Sequence, residues 1–182
     1  PLGCYGDGGA CFTDDDALAK AMRQIRVHGQ DRRYHHPVIG VNGRIDTLQA
    51  AVLLAKLEVF EEEVAARGRI GARYSELLRG HVTTPHLAPQ CTSVYAQYTV
   101  RTPERDSMVE SMRAAGVPTA IHYPTPLHMQ PAFADLRLGR GSFSAAESAA
   151  RDVLSLPMHP YLNQGDQDTI ATALLAYTSG EA

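Results

Sequence analysis

At 182 residues, with 44% hydrophobic and 20% charged side chains, the chain has apolar material for one globular domain or one and a half, and is no disordered tail. A net charge of −3 with dispersed basic residues excludes a nucleic-acid footprint or an anionic-membrane patch, and no apolar run approaches a membrane span. Three cysteines, Cys4, Cys11 and Cys91, are odd in number and lack CxxC spacing, which points to reduced thiols and a cytoplasmic protein without a zinc site.

The first stretch, PLGCYGDGGACFT over residues 1–13, places Gly3, Gly6, Gly8 and Gly9 ahead of the apolar run Ala10, Cys11 and Phe12. Glycine at that density permits positive φ and close approach of backbone to a ligand, so the segment reads as a tight loop feeding a buried strand. It contains neither GxGxxG nor a P-loop lysine, and on its residues alone it is a connector. The acids at 14–16 then cap and charge a helix with Leu18, Met22 and Ile25 on one stripe, and Gly29 suits the C′ position. QDRRYHHPVIG, residues 30–40, reads as a surface loop, although Arg32 and Arg33 with His35 and His36 could hold a phosphate.

From Ile45 the pattern predicts a long helix with Leu48, Val52, Ala55 and Val59 on its apolar face and Glu63 paired with Arg67. Gly68 and Gly71 predict a kink or break, and the domain boundary is placed there, giving units 1–68 and 69–182. The helix resumes through Tyr74, Leu77 and Leu78 before Gly80. SVYAQYTVR, residues 93–101, alternates as a strand; Met108, Val109 and Met112 mark a short helix stopped at Gly116; residues 119–123 read as a second strand. This order implies a small α/β layer domain.

HYPTPLHMQPAF, residues 122–133, holds too many prolines for a regular element. Ser144 and Glu147 form a capping box opening a helix to about Leu154, LSLPMHPYL (154–162) is an extended connector, and Ile170, Leu174 and Tyr177 ride a last amphipathic helix. His122 and His128 lack a third ligand, so no metal is expected. His159 reads as packing or a strand-end hydrogen bond.

Four stretches carry a resemblance: PLGCYGDGGACFT, VNGRIDTLQAA (41–51), the His-Tyr-Pro of HYPTPLHMQPAF, and LSLPMHPYL. Together they resemble the DegT/StrS family of pyridoxal-phosphate sugar aminotransferases over nearly the whole chain. The resemblance implies a fold-type-I α/β transferase: the end of its large cofactor-binding domain with a linking helix over 1–68, and its small C-terminal domain over 69–182. It also implies that the Schiff-base lysine stands immediately before Pro1, so that no catalytic residue lies within these 182 residues and the aspartate under the cofactor's pyridine nitrogen lies upstream.

In such enzymes the asparagine corresponding to Asn42 reaches the phosphate of pyridoxal 5′-phosphate in the other subunit of a homodimer with shared active sites. The residues alone make Asn42 an ordinary helix cap, yet an amide donor just before a helix N-terminus also suits an anion. Arg44 reads alone as a surface residue; within the motif it implies substrate binding, its planar fork clamping a carboxylate or diphosphate. His122 and Tyr123 are implied to contact the sugar nucleotide. RQIRVHGQDRRYHHPVIGVNGRIDTLQAAVLLAKLEVFEEE and SVYAQYTVR are especially similar to members that aminate C3 of a UDP-linked 2-acetamido-3-keto-uronic acid in polysaccharide assembly, with L-glutamate as donor. Two other readings stay open: a sugar dehydratase of the same family with histidine in place of the lysine, and a non-catalytic regulatory or dimerisation protein.

Overall fold

The computed structural model describes residues 2–180; Pro1 and the lysine expected ahead of it lie outside the described residues. The chain divides into two compact units, Pro1–Glu61 and Glu62–Ala182. No helix among the described residues is long and apolar enough to cross a membrane.

In the first unit, α1 spans Asp16–Ile25, and the Asp15 carboxylate caps it by accepting the N–H groups of Ala17 at 2.8 Å and Leu18 at 3.0 Å. The helix ends at Arg26, so Gly29 is not its C′ residue. Gly29 serves instead where two backbones cross. At φ +72° its added Cβ would lie 1.7 Å from the Val38 carbonyl oxygen, and one on Gly40 would lie 2.0 Å from the Gly29 nitrogen. Between them, residues 30–39 form the expected turn-rich, mostly exposed loop. The buried strand expected after the glycine loop does not form, and Phe12 is 92% exposed.

The helix expected from Ile45 begins later and breaks earlier. α2 covers Thr47–Leu57 with Asp46 at its N-cap position, and α3 covers Phe60–Leu77, running without interruption through Gly68 and Gly71. The expected boundary between residues 68 and 69 thus falls inside α3. The apolar stripe of α2 is not a core face within its unit, since Leu48 is 84% exposed. Glu63 and Arg67 do not pair: Glu63 accepts the Tyr161 hydroxyl at 2.5 Å and Arg67 donates to the Tyr95 carbonyl at 3.1 Å. A Cβ on Gly71 would meet the Tyr95 ring at 2.3 Å, so glycine is there to seat an aromatic ring rather than to break the helix.

The second unit is built on an antiparallel pair, β1 (Tyr98–Arg101) and β2 (Val153–Leu156), in register Tyr98↔Leu156, Thr99↔Ser155, Val100↔Leu154 and Arg101↔Val153. Single bridges extend it on both sides, Thr83 against Arg101 and Ala120 against Ser155. Residues 119–123 therefore contribute one bridge rather than the expected strand, while residues 154–156, expected as the start of a connector, belong to a fully buried strand. α4 (Arg105–Ala114) and α6 (Gln164–Ser179) pack together, and Met108, Met112, Ile170 and Leu174 join Tyr98, Val100, Leu154 and Leu156 in one core. Burial pushes the Tyr98 hydroxyl up to about 12. It is thus kept protonated and hydrogen-bonded to Ser75 Oγ at 2.8 Å. Two short 3₁₀ turns, Leu127–Met129 and Pro131–Leu136, occupy the proline-rich stretch as expected. α5 (Ser144–Asp152) starts at Ser144 itself, with Phe143 rather than Ser144 at its N-cap position; only the glutamate of the expected capping box folds back.

Candidate functional site

Within the first unit the glycine loop is tied to α2. Gln49 on α2 holds the Tyr5 backbone, its Oε1 accepting the Tyr5 N–H at 2.7 Å and its Nε2 donating to the Tyr5 carbonyl. About two turns further along, Lys56 Nζ donates to the Gly3 carbonyl at 2.7 Å. Sequence reading passed over both residues. The glutamine stands inside VNGRIDTLQAA, but its reach across 44 positions carries no local signal.

Asn42 lies on a short extended segment fixed to the end of α1. Val41 N–H donates to the Ile25 carbonyl at 2.8 Å, Gly43 N–H to the Arg26 carbonyl at 2.8 Å, and His28 N–H to the Val41 carbonyl at 2.9 Å. With Asp46 at the N-cap position, Asn42 is not a helix cap and stands four residues ahead of that position. Its side chain is exposed and has no hydrogen-bond partner among the described residues, and the same holds for Arg44. A rigid backbone carrying a free carboxamide fits a phosphate: the amide can donate without breaking any bond it already has. The Arg32–Arg33 loop is engaged otherwise. Arg33 stacks on Tyr34, His35 Nδ1 sits 2.6 Å from the Asp31 carboxylate, and that contact holds the Asp31 carboxyl below its ordinary range.

Within the second unit His122 and Tyr123 come together, ring centroids 5.5 Å apart and edge to face, with Tyr123 73% exposed. His122 Nδ1 lies 3.1 Å from Ser155 Oγ, and a cavity of about 280 Å³ opens beside them, lined by Gln97, Thr119, Ala120, His122, Ser155 and Met158. The loop bearing this pair is secured at its far end by His128, 9% exposed, whose Nε2 lies 3.2 Å from Glu147 Oε1 and whose ring packs on Phe143. Glu147 also accepts the N–H groups of Gly141 at 2.8 Å and Phe143 at 3.3 Å. Burial works to raise the Glu147 carboxyl, but those two amides and His128 outweigh it and hold it below the ordinary range. His159 is exposed; only its backbone is engaged, accepting the Leu162 N–H at 3.2 Å. Among the described residues no group of three or more His, Cys, Asp or Glu could hold a metal ion.

Residues 1–175 match the family described as the DegT/DnrJ/EryC1/StrS aminotransferase family. Among curated relatives, a Pseudomonas aeruginosa protein named UDP-2-acetamido-2-deoxy-3-oxo-D-glucuronate aminotransferase is 56% identical over 175 residues, covering 96% of this chain and 48% of that one. A Geobacillus stearothermophilus protein named pleiotropic regulatory protein is 39% identical over 180 residues, covering 97% of this chain and 48% of that one. Among solved structures, S. venezuelae DesV in complex with a ketimine intermediate superposes with a TM-score of 0.93 at 38% identity, covering 97% of this chain and 48% of that one. The chain spans about half the length of the curated relatives it matches.

Proposed function

The chain belongs to the DegT/DnrJ/EryC1/StrS aminotransferase family and has the α/β fold of fold-type-I pyridoxal-phosphate transferases. From that premise we propose that it serves a cytoplasmic homodimeric aminotransferase that moves an amino group from L-glutamate to C3 of a UDP-linked 2-acetamido-3-keto-uronic acid for polysaccharide or O-antigen assembly. The observation that carries this reading is the 56% identity to the P. aeruginosa protein of that named activity. In this reading residues 1–68 complete the large cofactor-binding domain and 69–182 form the small one.

Pyridoxal 5′-phosphate supplies the electron sink through which the amino group leaves one carbon and reaches another. The residues of this chain supply position and charge. Asn42 donates its free amide N–H to the cofactor phosphate of the partner protomer. Arg44, two residues on, offers a planar pair of donors to the uronate carboxylate and so separates this substrate from neutral keto sugars. His122 and Tyr123 donate to oxygens of the nucleotide sugar, at the edge of the small cavity. Gln49 and Lys56 hold the glycine loop.

The test is an assay of the holoenzyme with the UDP-3-keto-uronate and L-glutamate, following 2-oxoglutarate. Release that requires both substrates supports the reading; a protein without cofactor absorbance and without turnover overturns it. That second outcome would favour a regulatory protein, the reading suggested by the name of the G. stearothermophilus relative.

A further inference from the structure

The register of the small sheet places three polar side chains in a row. In an antiparallel pair, residues directly opposite share a face, and a residue two positions further on is their diagonal neighbour. Thr99 is opposite Ser155 in the β1–β2 ladder, and Ala120 is opposite Ser155 on the other side, with Ser155 N–H donating to the Ala120 carbonyl at 2.7 Å and Ala120 N–H to the Ser155 carbonyl at 3.1 Å. His122, two residues beyond Ala120, therefore falls on the face that carries Thr99 and Ser155. The adjacent positions, Tyr98, Val100, Leu154 and Leu156, point the other way into the core. The result is a continuous chain: Thr99 Oγ1 to Ser155 Oγ at 2.9 Å, and Ser155 Oγ to His122 Nδ1 at 3.1 Å. Ser155 is 4% exposed, so its hydroxyl has to be satisfied inside the protein.

A hydroxyl carries one proton, so the chain runs in one of two directions throughout. If Ser155 donates to Nδ1, Thr99 donates to Ser155, both hydroxyl protons are used, and the neutral imidazole carries its own proton on Nε2. In the reverse direction Nδ1–H donates to Ser155 and Ser155 to Thr99, and the Thr99 proton has no acceptor among the described residues. Both directions make the same two bonds; the first leaves its one unspent donor, Nε2–H, on the ring that lines the cavity, where a ligand oxygen can accept it.

We propose that Ser155, backed by Thr99, is the positioning residue that holds His122 with Nδ1 turned to the sheet and Nε2–H turned outward, so that the imidazole meets an acceptor oxygen of the nucleotide sugar as a hydrogen-bond donor. This rests on the proposed role of His122 in sugar-nucleotide binding. Ser155 itself touches neither substrate nor cofactor.

Two measurements on the holoenzyme test it. The first is long-range proton–nitrogen correlation on protein labelled at histidine, without substrate, with His122→Gln identifying the signal. The wild type is expected to show one neutral form, pyridine-type at Nδ1 and pyrrole-type at Nε2; Ser155→Ala is expected to average the two tautomers, and Ser155→Thr to restore the single form. A wild-type ring protonated at Nδ1, or a ring indifferent to Ser155→Ala, overturns the proposal. The second is titration of the UDP-sugar. Loss of one positioning hydrogen bond in Ser155→Ala should raise its dissociation constant about tenfold, and Thr99→Val about threefold, while the half-reaction with the amino donor alone, which uses no sugar, keeps its rate. An equal loss in both half-reactions would mean general structural damage and would also overturn it. If the wild type runs no donor half-reaction, the transaminase reading fails, and the nitrogen signals still decide the orientation of His122.

Discussion

The side-chain amide of Gln49 occupies both backbone hydrogen-bonding groups of Tyr5, as a neighbouring strand would, with the Tyr5 N–H 2.7 Å from Oε1. A glycine-rich loop has little intrinsic order, so this contact and the Lys56–Gly3 bond hold it. Gln49→Ala removes two hydrogen bonds worth about 1 kcal/mol each. Amide exchange across residues 2–9 should then rise on the order of tenfold or more, measured by hydrogen–deuterium exchange, with α6 unchanged.

The Asn42 carboxamide is exposed and has no hydrogen-bond partner among the described residues, so Asn42→Ala should leave folding intact and act on the cofactor. A hydrogen bond to a charged group contributes roughly 1.5–3 kcal/mol. Pyridoxal 5′-phosphate should therefore bind about 10- to 100-fold more weakly, read by absorbance titration of the apoenzyme, with Asn42→Asp worse because it sets a carboxylate against a phosphate.

Arg44→Ala should lower kcat/KM for the uronate about 10- to 100-fold and leave a neutral keto sugar nearly unaffected, by the same magnitude for a charged hydrogen bond. Equal losses on both sugars would assign Arg44 to the diphosphate instead.

Two glycines in α3 make an internal control. Gly68 has no atom within 4 Å of an added Cβ, so Gly68→Ala should stabilise by about 1 kcal/mol through helix propensity. Gly71→Ala drives a methyl into the Tyr95 ring, and overpacking of about 1–3 kcal/mol should outweigh that gain. Thermal midpoints of the two variants should move in opposite directions.

Much of the chain was legible because its signals are local. The Asp15 cap, the Met108–Met112 stripe and the buried face of α6 follow from periodicity and capping chemistry. What escaped depends on partners remote in sequence. Val153–Leu156 is a strand only because Tyr98–Arg101 lies against it, a partner more than fifty residues away. Gly71 looked like a breaker because the ring that needs its missing side chain comes from residue 95. The break at residues 58–59 carries no glycine or proline to announce it. Of the residues proposed to bind cofactor or substrate, Asn42, Arg44, His122 and Tyr123 stand in recognisable motifs, whereas Gln49 and Ser155 act through pairings that no spacing rule contains.

Glu147 links pH to the loop that carries His122. Its carboxyl is held below the ordinary range in the folded protein, so its contribution to stability is complete above the unfolded value and disappears as pH falls through the folded one. Acid unfolding followed by circular dichroism should accordingly steepen below about pH 4, from the unfolded carboxylate range. Glu147→Gln should be less stable near neutrality and lose that part of the acid dependence.

The amino transfer itself is the most direct test. With L-glutamate carrying nitrogen-15 and the UDP-2-acetamido-3-keto-uronate as acceptor, mass spectrometry of the nucleotide sugar should show the labelled amine in place of the ketone, formed only by protein loaded with pyridoxal 5′-phosphate. An unlabelled, unchanged sugar recovered from cofactor-loaded protein would contradict the account.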